Sequence, residues 1–146
     1  MNSLQAERLE SVKAGIFAAL SFAIAFSLVT VVNTTLLIPQ IPQISLPIPT
    51  GNGLFFQVAI ALFSGFLFGI TYRYIIRTDN NSHLNDGAVL AFGLVRGLAT
   101  AEIDPLAIHQ LLNLGILTLE SLFCFAIARF TLDFALSRHW LNPFKG

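Results

Sequence analysis

Hydrophobic and polar positions along this chain fall into long blocks, not into the short periods of a surface helix or strand. Four apolar stretches stand out, Val12–Thr35, Gly53–Ile76, Leu84–Ile103 and Ile108–Phe130. Each reaches the length of about 20 helical residues that a hydrocarbon core about 30 Å thick requires. The pattern predicts an all-α integral membrane protein of four transmembrane helices, forming one membrane domain over residues 1–146. The third stretch is the least apolar, and Gly87, Gly93 and Gly97 leave it free to bend.

Composition agrees with the pattern. Of 146 residues, 55% are hydrophobic and only 11% charged, with a mean hydropathy of +0.74; a soluble domain carries about 25% charged residues. The lipid bilayer is therefore the expected solvent. The expected partners are other integral membrane subunits, or a second copy as a homo-oligomer. The formal net charge is zero, which gives no bulk attraction to nucleic acid, and no such partner is expected. Cys124 is the single cysteine, so no intramolecular disulfide can form. Arg8 and Lys13 precede the first apolar run as in a signal peptide. That run is too long for a signal core and ends without a small-x-small cleavage site, which predicts a retained first helix.

Basic residues assign an orientation. Arg8 and Lys13 lie in the N-terminal arm, Arg73 and Arg77 flank the second connection, and Arg129, Arg138 and Lys145 lie at the C-terminal end. The first connection, Pro39–Asn52, carries no charge, and the third, Ala101–Ala107, carries only Glu102 and Asp104. This alternation predicts four crossings with both termini on the cytoplasmic or stromal side. Tyr72, Tyr74 and Trp140 fall where an inner aromatic belt is expected. Asn80-Asn81-Ser82 matches a glycosylation triplet, but on the inner side the match carries no meaning.

Two charges sit within the apolar stretches, Arg96 in the third and Glu120 in the fourth. A charge at the bilayer centre costs about 2.5–3.5 kcal/mol on insertion scales, so such residues face protein. Counted from the outer ends, Arg96 lies about 10 Å deep and Glu120 about 18 Å deep on antiparallel helices. Helical side chains lean toward their own N-terminus, which brings the two together. The expectation is an Arg96–Glu120 ion pair, within one chain or between two. It would lock two helices together, or else serve a polar ligand or an ion path, with Ser64, Asn113 and Thr118 as neighbouring polar groups.

Small residues recur at helix-packing spacing, at Gly65 and Gly69, at Gly93 and Gly97, and among the alanines from Ala14 to Ala23. Such faces let backbones approach closely, inside the bundle or against a partner. Pro39, Pro42, Pro47 and Pro49 make the first connection stiff and extended, an apolar loop packed on its own helix ends or offered to a partner. His109 is the one histidine near a span, with His83 and His139 expected on the other face, so no paired-histidine haem site, cofactor or metal is expected. No nucleophile elbow, phosphate loop, zinc-protease or redox-cysteine motif occurs, and an enzyme is not expected.

Ser64–Tyr74 aligns without gaps on Glu120–Phe130, a faint sign of two hairpins in parallel repeat. The segment Gly87-Ala-Val-Leu-Ala-Phe-Gly-Leu-Val-Arg-Gly-Leu98, with Ser11-Val-Lys-Ala-Gly15, resembles small uncharacterised multi-span proteins of cyanobacteria and plastids. The resemblance implies a thylakoid or plasma-membrane location and a supporting role in photosynthetic complexes. The functional expectation is a non-enzymatic accessory subunit or assembly factor. The alternative is a small oligomeric channel or transporter that uses Arg96 and Glu120.

Overall fold

The computed structural model describes residues 3–42, 44, 46, 50–76, 82–100 and 108–144. Among them all regular structure is helical, as long apolar blocks require: with no water in a bilayer core, each backbone polar group must be satisfied within its own helix. Helix α1 (Ser3–Val32) continues through a π-helical turn (Asn33–Leu37) and a last α-turn (Ile38–Gln40). Then come α2 (Asn52–Ile75), α3 (Ser82–Ala99) and α4 (Ile108–Ser137).

Three helices are long and apolar enough to cross a membrane, over 4–40, 52–75 and 110–137. Helix α3 falls short of that measure. Its 18 residues rise about 27 Å, and His83, Asn85, Asp86 and Arg96 dilute its apolar face. The expected third span ran on to Ile103, but residues 101–107 lie outside those described.

The helices alternate in direction. Gly65 and Gly69 of α2 meet Ala14–Phe22 of α1, and Gly93 and Gly97 of α3 meet Leu122 and Thr118 of α4. A Cβ added at Gly69 would stand 2.7 Å from the Ala18 Cβ, with the Ala14 carbonyl oxygen closer still. One added at Gly97 would stand 2.5 Å from the Thr118 Cα. Both glycine faces are therefore used inside the bundle, where backbones touch. Two antiparallel hairpins, α1–α2 and α3–α4, then join through α1 and α4, where Phe22 lies 4.5 Å from Phe125.

Helix ends follow local chemistry. The Pro39 ring lacks an N–H and crowds the carbonyl four residues earlier. The preceding turn is widened, with the Ile38 N–H donating to the Asn33 carbonyl five residues back. The proline loop thus begins two residues later than expected, because α1 absorbs Pro39 into its last turn instead of ending before it. Ile44 and Leu46 of the loop are buried, while Pro39 and Pro42 are exposed; Pro47 and Pro49 lie outside the described residues. Gly51 starts α2 at φ +56°, a conformation that favours glycine. At the other end of the bundle, His139 takes φ +58° and closes α4. Its N–H donates to Leu136 O and the Trp140 N–H to Ala135 O, the paired bonds of a Schellman cap.

That cap turns the tail back onto the N-terminal turns of α1. Leu141 is buried, and the Asn142 N–H donates to Glu10 Oε2 over 3.1 Å. Arg73, only 2% exposed, ties the assembly. It pairs with Glu7 and donates to Ser11 Oγ at 2.7 Å and to the carbonyls of Glu7 and Asn142 at 3.0 Å. Arg129 pairs with Asp86 and, at 3.5 Å, with Asp133. Among the described residues, the N-terminal turns, the C-terminal tail and most of the charge therefore gather at one pole.

Candidate functional site

The register of α3 on α4 decides where the charges of Arg96 and Glu120 go. Gly93 meets Leu122 and Gly97 meets Thr118, so Arg96 comes level with Leu119 and Glu120. The same register leaves the first two turns of α4, residues 108–115, projecting about 12 Å beyond the last residue of α3. Depth counted from helix ends is therefore misleading, because the ends are staggered. From one level, side chains that each lean toward their own N-terminus diverge. Arg96 leans toward the charged pole and Glu120 toward the far end.

The expected Arg96–Glu120 ion pair does not form within the chain. Arg96 instead donates to Ser64 Oγ at 3.1 Å. Its Cζ stands 5.1 Å from the Phe22 ring centroid and 5.5 Å from that of Phe26. A guanidinium over ring faces gains about 0.5–2 kcal/mol per contact, which offsets part of its transfer cost. Glu120 accepts a 2.6 Å hydrogen bond from Asn33 Nδ2. Among the described residues no salt bridge reaches either side chain.

Both charges line one cavity of about 130 Å³. Its wall carries Thr30, Asn33 and Thr34 from α1, Gln57 from α2, and Thr100 beside Arg96. Glu120, Ser121 and Cys124 of α4 also line it, as does Leu46 of the proline loop. The Ser121 hydroxyl is buried and meets no hydrogen-bond partner among the described residues. A buried polar atom left unpaired costs about 1–3 kcal/mol, so a ligand or water that meets it is favoured.

The cavity lies on the far side of the core from the charged pole and has a solid floor. Phe22, Phe68, Phe92 and Phe125 pack with centroids 4.5–5.6 Å apart. Beneath them the Tyr72 hydroxyl donates to Asp133 Oδ1 at 2.7 Å, and the Arg73 clamp follows. Among the described residues this aromatic layer separates the cavity from the charged pole. Arg96, Thr100 and Ile60 also border a second, largely apolar groove of about 570 Å³ between α2 and α3, lined by Leu67, Val95 and Phe125 among others. Only Arg96 supplies charge to both spaces.

Of the polar neighbours expected for the charged residues, Ser64 holds Arg96 and Thr118 backs Gly97. Asn33 was not expected at the site, although a polar Asn33-Thr34-Thr35 run inside an apolar block is a readable signal. Gln57 gave no such signal. The π-helical turn that starts at Asn33 adds a second mark, since such bulges concentrate at functional sites. The side chain of His109 lies outside the described residues, as do Arg77, Glu102, Asp104 and the Asn80-Asn81 part of the glycosylation triplet. No protein-family model matches this chain, and neither a curated protein nor a solved structure shows significant similarity to it.

Proposed function

We propose that this chain is a non-enzymatic, multi-pass membrane protein that binds a small polar ligand in the one-sided cavity between its helices. In this reading α3 adds a crossing to the three made by α1, α2 and α4. The charged pole, rich in Arg73, Arg129 and Arg138, faces the cytoplasm or stroma, and the cavity opens toward the opposite face. One observation carries the proposal: Arg96 and Glu120 line the same cavity without neutralising each other. Two intramembrane charges held apart leave attraction available to a third party, whereas a purely structural pair would be closed. The aromatic floor favours a binding protein, or one state of a transporter, over an open channel.

The role of accessory subunit or assembly factor, in a photosynthetic or other membrane complex, remains a second reading. The glycine faces no longer support it, since they are spent inside the bundle. The groove between α2 and α3 does, as an unfilled apolar surface that a partner's helix could occupy. Native mass spectrometry of the protein, released from its own membrane in mild detergent, separates the two. The pocket reading expects a small molecule retained by the wild type and lost from both Arg96→Gln and Glu120→Gln. Partner chains at fixed ratio, with no small molecule, would replace it by the accessory reading.

A further inference from the structure

We infer that the cavity's ligand is a small zwitterion carrying a primary ammonium and a carboxylate, as an amino acid does. This rests on the pocket reading above and gives it a chemical class. Three observations point the same way. The cavity presents one fixed cation and one fixed anion, Arg96 and Glu120, on opposite helices of the α3–α4 hairpin. Hydroxyls line the same cavity: Thr30, Thr34 and Thr100 donate their protons to carbonyls of their own helices and keep lone pairs free to accept from an ammonium, while the Ser121 hydroxyl is unpartnered among the described residues and can donate to a carboxylate. The volume, about 130 Å³, approaches that of a cavity of about 150 Å³ able to hold benzene, which limits the ligand to roughly six to eight heavy atoms.

Charge balance narrows the class further. A singly charged ligand would satisfy one wall of the cavity and leave the other charge facing an uncompensated neighbour. A neutral ligand would satisfy neither. A zwitterion meets Arg96 with its carboxylate, through the planar fork that suits that group, and Glu120 with its ammonium. Asn33, already bonded to Glu120 at 2.6 Å, fixes the carboxylate that receives the ammonium. The ligand thus supplies the ion pairing that the register of α3 on α4 denies the protein.

The test uses the purified full chain in detergent and a thermal-unfolding readout. The probes are a panel of natural amino acids of up to eight heavy atoms, with propionate and propylamine as single-charge controls and propionamide as a neutral one. At about 100 times its Kd, a bound zwitterion should raise the unfolding temperature by roughly 5–10 °C. The single-charge and neutral controls should leave it unmoved. Arg96→Gln and Glu120→Gln should each weaken zwitterion binding at least about tenfold. If either variant fails to fold, Ser121→Ala and Asn33→Ala, which keep both charges, should each lower the affinity measurably.

A shift given by propionamide or by one single-charge probe, and not by amino acids, would overturn the zwitterion assignment and leave the pocket reading standing. No shift with any probe, together with no small molecule retained in native mass spectrometry, would overturn both.

Discussion

Among the glycines, Gly69 comes closest to a neighbouring helix's backbone, and it makes a prediction whose sign can be worked out. In Gly69→Ala the new Cβ would meet the Ala14 carbonyl oxygen and stand 2.7 Å from the Ala18 Cβ and 2.9 Å from the Ala14 carbonyl carbon. Two of these three atoms are backbone, so no rotamer change relieves the overlap, and α1 and α2 must separate. Overpacking of this kind costs about 1–3 kcal/mol. Alanine in place of glycine returns up to about 1 kcal/mol of helix propensity. The net destabilisation is then about 1–2 kcal/mol, a fall in unfolding temperature of roughly 2–8 °C for a chain of this size. Gly115→Ala is the matched control. It makes the same substitution in α4, and its Cβ meets nothing within 4 Å. Propensity alone acts there, so the variant should be as stable as the wild type or gain about 0.5–1 kcal/mol. Thermal unfolding of the three proteins in one detergent measures both. Equal stability of the two variants would refute the seam as described, including the register that carries Arg96 level with Glu120 by the same kind of contact.

Two further outcomes follow from the charged pole. Glu7→Gln removes the carboxylate from a buried Arg73 but leaves its Ser11 and two carbonyl acceptors; it should cost about 1–3 kcal/mol by thermal unfolding, and an unchanged midpoint would show that the pair contributes nothing. In a Cys124→Ala background, single cysteines at Gln5 and Asn142 should react with an impermeant thiol reagent from the same membrane face and one at Pro42 from the other; labelling of all three from one face would refute the alternating topology.

Much of the fold was legible in the sequence because the governing forces act within a single helix. Apolar length and the need to satisfy backbone groups locally place α2 to within one residue at each end and α4 at its start, while α1 begins nine residues before its apolar block and α4 runs seven residues past its own. The glycine spacing foretold close helix contact, and the buried positions of Gly65, Gly69, Gly93 and Gly97 show that the bundle itself provides it. Pro39 was read as a helix stop, yet a single π-helical turn lets α1 pass it. That turn begins at Asn33, and Asn33 and Thr34 line the cavity.

What the sequence determined by itself is the all-helical class, three helices long and apolar enough to cross a membrane, and two charges set within apolar stretches. What only the tertiary structure decided is whether those charges meet. Their separation depends on the stagger between α3 and α4, which is set by Gly93 and Gly97 seating on Leu122 and Thr118. No property of either helix alone contains that stagger. A shift of a single turn, about 5.4 Å, would change which residues Arg96 and Glu120 reach. The cavity depends on the same packing, since it is lined by side chains of four elements, among them Asn33 of α1, Gln57 of α2, Arg96 of α3 and Glu120 of α4.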